Sequence, residues 1–384
     1  MLWERWMKNF WVLSAIMGLI LFACTDAGTS DQNATVGQKA TNHTDQLNIY
    51  NWSDYVDPDT VKTFERNNHI KVRYDFYDSN ETLEAKILIG RSGYDLVVPS
   101  IANVGREIKA GAYQPINKSQ LSYYNDIDPN LLKLMDKVDP GNKYAVPYFW
   151  GINTIGINQT QVEKALNGKL PDNLWDLVFN PEYTHKLKNC GISLFDSPTE
   201  LYPLALHYLG KDPNSSDPED IKAATNLIKG VRDDIKRFSS SGYIDDMARG
   251  DICVATGYGG DLNIAKRRAK DANTGVELQV LVPKEGVGIW IDSFMIPKDA
   301  QNVANALKYI NYTLDAKVAA KNGTYVTFAP ASASARALMD KSLSTDPSIF
   351  PPQEILDKSF VVSPKSQDAV RLAVRLFQQV KAGQ

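Results

Sequence analysis

Apolar Ile70, Val72, Tyr74 and Phe76 alternate with Lys71, Arg73, Asp75 and Tyr77, the period of a strand with one face on a core. Segment 47–65, LNIYNWSDYVDPDTVKTFE, opens as a short strand with Leu47, Ile49 and Trp52 apolar, then turns into a helix. Asp57 is a natural N-cap, Pro58 fits the first helical position, and Asp59 complements the positive helix end. Val61 and Phe64 then share a helix face. Caps at Asp78, Ser79 and Asn80 open a second helix carrying Leu83 and Ile87, which stops at Gly90. Leu96, Val97 and Val98 form a short buried strand that ends in Pro99 and Ser100. Strands alternating with helices predict a parallel sheet with right-handed crossovers.

Around 144–158, YAVPYFWGINTIGIN, the pattern changes to strand with little helix, which predicts a passage into a second lobe. Helices at 159–167 and 174–179 and strands at 191–195, 252–255 and 278–282 belong to that lobe. The chain returns along a strand near 290–296 and finishes with helices at 303–312 and 368–380. The fold expected is α/β, two lobes joined by crossing strands. Lobe 1 covers 46–147 and 291–336, and lobe 2 covers 148–290 and 337–384. A clamshell of this kind has a cleft that closes by hinge motion.

Composition narrows the function. A net charge of -3 over 384 residues gives no broad positive field, which sets nucleic acid aside as a partner. Arg5 and Lys8 precede an apolar run at 10–23 that is short for a membrane span and fits an export signal over 1–23. The run ends Leu21-Phe22-Ala23-Cys24, which is similar to a lipobox and predicts a lipidated Cys24; ordinary cleavage a few residues later is the alternative. Residues 24–45 are polar and read as a flexible tether. With Cys24 lipidated, Cys190 and Cys253 remain as an even pair in an exported chain, which predicts a disulfide; two buried thiols are the alternative. His43, His69, His185 and His207 have no metal-ligand spacing, and no Gly-x-Ser-x-Gly elbow is present, so neither a metal nor a cofactor is expected.

Four stretches carry candidate chemistry. Trp52-Ser53-Asp54-Tyr55, at the end of the first strand, sets ring faces beside a carboxylate, which suits a cation; a capped turn over a core tryptophan is the plain alternative. In GIWIDSF, 288–294, Trp290, Asp292 and Phe294 share one side of a strand. An aspartate between rings is costly to bury unless a cation or several donors meet it, and a structural ion pair would also serve. Gly257-Tyr258-Gly259-Gly260-Asp261 lets backbone approach a ligand, with Asp261 read as the N-cap of a helix from Leu262. Ser197-Pro198-Thr199-Glu200 has the form of a capping box, which assigns Glu200 to the cap, with Asp196 beside it as a second carboxylate. A carboxylate pair could also run a glycosidase.

Together, IYNWSDYVDPDTV, YDLVVPS, GDICVATGYGGD and IWIDSFMIP resemble the polyamine-binding proteins of bacterial ABC importers, especially the putrescine-binding branch. KDPNS at 211–215 and the paired cysteines point the same way, and the resemblance runs from about Leu47 nearly to the C-terminus. It implies a type II periplasmic-binding-protein clamshell, not an enzyme, that captures putrescine or spermidine between its lobes. It further implies a periplasmic monomer, free or anchored through Cys24, that delivers the amine to an ABC permease in the inner membrane. By position, Trp52, Ser53, Asp54, Tyr55 and Ser100 would face the cleft from lobe 1. Glu200, Ser240 and Asp261 would face it from lobe 2, and Trp290 and Asp292 from the crossing strand, which moves Glu200 from cap to ligand. Tyr258 stands where the putrescine branch commonly has Trp, and Phe328 where it commonly has Tyr. Trp290 replaces a Phe and is similar to the spermidine branch, so the choice of amine stays open. A lipid-anchored polyamine sensor for a signalling partner would use the same cleft.

Overall fold

The strand Gln46–Trp52 buries Leu47 and Ile49 completely and forms the centre of the first sheet. Lys71–Tyr77 pairs with it in parallel on one side and Leu96–Val97 on the other. The structure is a computed structural model and describes residues 45–383. The leader 1–23, Cys24, His43, the tether up to residue 44 and Gln384 lie outside the described residues.

Asp57 caps the helix Pro58–Asn68, its carboxylate accepting from the Asp59 N–H at 2.9 Å. Ser79 caps Asn80–Leu88 by accepting from the Thr82 N–H at 3.2 Å. Both helices begin where the sequence places them, because a short polar side chain supplies an acceptor for the free N–H groups of the first turn. The face expected of the second strand inverts at its end. Phe76 is 55% exposed, whereas Tyr77 is buried and its hydroxyl donates to the Val98 carbonyl. This is an edge strand, so its outer face meets solvent while Tyr77 reaches inward beside the Trp52 ring.

The strand Val146–Asn158 runs between two cores. Val146, Tyr148 and Phe149 pack with the first sheet, with Phe294, Met295 and Ile296, and with Tyr309 and Ile310 of the helix Val303–Leu314. Ile152, Ile155 and Ile157 pack in a second core with Leu194, Leu201, Ile228 and Phe377. Gly288–Phe294 lies antiparallel to this strand and makes the same passage, Ile289 in one core and Trp290 in the other. The larger sheet is built around these two, with Val254–Tyr258, Ile192–Leu194 and Ile235–Phe238 continuing it on one side.

Ile192–Leu194 and Val254–Tyr258 are parallel neighbours, and the disulfide Cys190–Cys253 ties the segments just before them, with Cα atoms 5.4 Å apart. The expected strand at 252–255 is displaced to Val254–Tyr258, since the bridge holds Cys253 ahead of it. Helices and loops that follow the C-terminal ends of these parallel strands converge on the gap between the two cores, the usual place for a ligand in open α/β sheets.

Candidate functional site

A cavity of about 230 Å³ lies in that gap. Its lining includes Trp52, Ser53, Asp54, Tyr55, Ser100, Glu200, Ser240, Tyr258, Asp261, Trp290, Asp292 and Phe328, the set that the resemblance assigned to the cleft, whereas Asp196, the second carboxylate considered, is not in the lining and pairs with Lys381. Its size is below the ~300–1,000 Å³ usual for drug-sized ligands, so it suits a smaller molecule.

Asp292 sits on the crossing strand and is 6% exposed. The Tyr55 hydroxyl donates to its Oδ2 at 2.9 Å, and Ser100 bridges to it across the strands. Burial pushes its carboxyl up to about 7, with the Tyr55 and Ser100 hydrogen bonds working the other way and Glu200 adding to the rise. Glu200, also 6% exposed, stands in the first turn of Pro198–Tyr208. The capping box expected here does not form. Ser197 makes no side-chain cap, and the Glu200 carboxylate instead accepts from the Asn153 amide. A capping Glu would turn back along the helix axis; this one is turned into the cavity, and burial raises it to about 7 against the Asn153 hydrogen bond.

Asp261 also departs from the sequence reading. The helix begins at Gly259, with Tyr258 at the cap position, so Asp261 falls within the first turn and is not the N-cap. Its Oδ2 accepts from the Tyr243 hydroxyl at 3.0 Å, and the Tyr243 oxygen accepts from the Tyr258 N–H at 3.0 Å. Burial raises this carboxyl to about 7 as well, opposed by the Tyr243 hydrogen bond. Glu200 and Asp261 each sit at the positive end of a helix, which favours their charged forms.

Rings close the rest of the wall. Phe328 meets Trp290 at 5.1 Å and Tyr55 at 5.5 Å, both edge to face, and Tyr258 meets Trp290 at 6.0 Å. The Trp52 indole N–H donates to the Val98 carbonyl at 3.0 Å, which fixes its plane beside Tyr77. Two glycines make room: a Cβ at Gly151 would lie 2.5 Å from the Trp290 ring, and one at Gly260 would collide with Phe328. Asp54 differs from the other carboxylates, being 71% exposed and 3.8 Å from Arg268. Ser53 is exposed and Ser240 half-buried in the loop after Ile235–Phe238.

Sequence reasoning missed Tyr243, Asn153, Tyr77 and Arg268. Asn153 had a signal, a polar residue inside a continuously apolar strand, where a buried amide needs a partner. Arg268 had one too, since it stands seven residues after Asp261 and so on the same helix face. Tyr243 had none, because its role depends on packing between two helices. Among the described residues no group of three or more acidic, His or Cys side chains could hold a metal. The arrangement sets three sheltered carboxylates and several aromatic faces around one cavity, groups that suit a cation with an apolar part.

Comparison with known proteins agrees with this chemistry. Residues 59–351 match the family of bacterial extracellular solute-binding proteins. The chain is 42% identical to the putrescine-binding periplasmic protein SpuD of Pseudomonas aeruginosa, over 95% of its own length and 98% of the relative's. It is 44% identical to the putrescine-binding periplasmic protein PotF of Escherichia coli, over 88% and 91% respectively. Among solved structures, the spermidine/putrescine ABC transporter substrate-binding protein PotD of Streptococcus pneumoniae superposes with a TM-score of 0.73 at 28% identity, covering 88% of this chain and 99% of that one. These are binding components of transporters and not enzymes, which leaves the glycosidase alternative without support. The chain belongs to the bacterial extracellular solute-binding proteins, in the group that contains these putrescine- and spermidine-binding relatives.

Proposed function

We propose that this protein captures a polyamine, putrescine or spermidine, in the cavity between its lobes and delivers it in the periplasm to the permease of an ABC importer. The observation that carries this reading is the trio Glu200, Asp261 and Asp292, whose hydrogen-bond partners are all neutral. The cation that lines the cavity, Arg268, donates to Asp245 and lies 3.8 Å from Asp54, and it hydrogen-bonds none of the three. Carboxylates held in this way await a positive charge from outside, since an isolated buried anion is strongly disfavoured.

In this reading Asp292 and Glu200 meet one ammonium and Asp261 the other, with Ser53, Ser100 and Ser240 as further polar contacts. Trp52, Tyr55, Tyr258, Trp290 and Phe328 pack on the methylenes and offer ring faces to the charged ends. Each desolvated ring–ammonium contact contributes about 2 kcal/mol. A ligand as small as putrescine is bounded near roughly 9 kcal/mol in total, at ~1.5 kcal/mol per heavy atom. That corresponds to about micromolar affinity or somewhat tighter. The lobe limits 46–147 with 291–336 and 148–290 with 337–384, a monomeric state and a lipid anchor at Cys24 are part of the same proposal.

Titration calorimetry of the exported chain tests the function. Saturable heat with putrescine or spermidine at micromolar concentration or below is expected. Heat with a sugar or an uncharged amino acid, and none with any polyamine, would overturn it.

A further inference from the structure

We infer that Arg268 governs which amines the cavity accepts, closing its Asp261 end against a further charged amine so that the site favours a diamine over a triamine. This rests on the cavity being a polyamine site. Arg268 is a cation in a wall whose other lining groups are carboxylates, hydroxyls, the Asn80 amide and mostly aromatic apolar side chains. Seven residues after Asp261 in the helix Gly259–Asp271, it shares that residue's face. Its guanidinium donates to Asp245 at 2.8 Å, within the second lobe, and lies 3.8 Å from Asp54 in the turn of the first. One side chain thus spans the mouth of the cavity. Asp54 meets it from a left-handed turn, φ 54°, a conformation that aspartate tolerates better than most residues.

The two ends of the cavity differ in what lies beyond them. At the Glu200 end the further charges are carboxylates: Asp292 shares the cavity wall, and Glu81 adds to the rise of the Glu200 carboxyl. Around Asp261 the charged neighbours are mixed: Asp54 raises its carboxyl, and the Arg268 guanidinium, on the same helix face and 3.8 Å from Asp54, lowers it by less. A diamine can place its ammoniums on the two carboxylate ends and leave Arg268 paired with Asp54. A triamine reaching past Asp261 brings a third ammonium against a like charge, and the carboxylate it would need is already held by Arg268. At 42% side-chain exposure the repulsion is screened by water but not abolished.

Putrescine and spermidine are titrated into the wild-type chain and into Arg268→Gln, Arg268→Lys and Asp54→Asn, with unliganded melting curves to establish folding. Arg268→Gln is expected to weaken putrescine about two- to threefold, through loss of the interlobe pair, and to strengthen spermidine. The ratio of the two dissociation constants then moves tenfold or more toward spermidine. Arg268→Lys, which keeps the charge, should stay near the wild-type ratio. Asp54→Asn, which leaves the cation in place, should weaken both amines without favouring spermidine. An unchanged ratio in folded Arg268→Gln, with wild type still binding putrescine, would overturn the gate and leave the polyamine reading standing. Wild type that binds neither amine would overturn both.

Discussion

Asp292 shows how a single residue reconciles burial with charge. The Tyr55 hydroxyl and Ser100 satisfy part of the carboxylate, yet its proton affinity stays raised by the surrounding rings. An incoming ammonium replaces what burial removed, so Asp292→Asn is expected to weaken polyamine binding by more than tenfold in titration calorimetry. An Asn there keeps the shape and much of the hydrogen bonding, so the melting temperature without ligand should hold or rise. Gly151 makes the complementary case for shape. A methyl group there would press on the Trp290 ring at 2.5 Å. Gly151→Ala should therefore displace that ring and weaken binding several-fold with no change in charge, readable as a shift in tryptophan fluorescence. Asp292 and Trp290 were visible in the sequence because strand periodicity puts them on one side. The local capping-box reading of Glu200 does not hold, and only the family resemblance had moved it to the cleft, since a capping box and a cavity residue share one local pattern and tertiary packing decides which way the carboxylate turns.

At the scale of elements, the second lobe holds its cavity carboxylates beyond the ends of two parallel strands, Ile192–Leu194 and Val254–Tyr258, that lead to Glu200 and to Asp261. The Cys190–Cys253 bridge fixes the other ends of the same strands and closes a sequence separation of 63 residues. A loop of that length corresponds to about 4 kcal/mol of unfolded-state restriction, and the measured range is about 2–4 kcal/mol. Replacing both cysteines by serine should lower stability by about that amount in denaturant melts. Putrescine affinity in the folded variant should change less than threefold, because neither sulfur lines the cavity. The pairing was legible from cysteine parity in an exported chain. The start of the helix at Gly259 was not, since glycine carries no local start signal and the turn is fixed by the Tyr243 hydroxyl from another helix.

At the scale of the molecule, two lobes share one set of acidic groups, and their titration joins stability to ligand. Glu200, Asp261 and Asp292 are each raised to about 7, and Glu107, buried in the first lobe against Tyr113, to about 8. Free carboxyls titrate near ~4. Between those values the folded chain binds more protons than the unfolded one, so stability without ligand falls as pH rises from about 4 through 7 to 8. In the proposed function a polyamine takes the ionised carboxylates and reverses that loss. The rise in melting temperature on adding saturating putrescine should therefore be larger at pH 8 than at pH 5, and affinity should weaken as pH drops below 7. A thermal-shift series across pH measures both; a shift independent of pH would argue that the three carboxylates are charged without ligand.

Some of this was determined locally. Alternation, caps and proline positions set the strands and helices of the first lobe, because each depends on neighbours within a few residues. Signature segments carried the family resemblance and, with it, the proposed ligand class, since a cation needs carboxylates and rings whatever the frame around them. What the tertiary structure alone decided was direction and company. It put Tyr77 inward and Phe76 outward, turned Glu200 away from its helix end, supplied Asn153 and Tyr243 as partners, and set Arg268 against Asp54 across the mouth. Those relations join residues far apart in the chain, and local sequence has no term for the free energy that burial takes from a charge until the surrounding walls are in place.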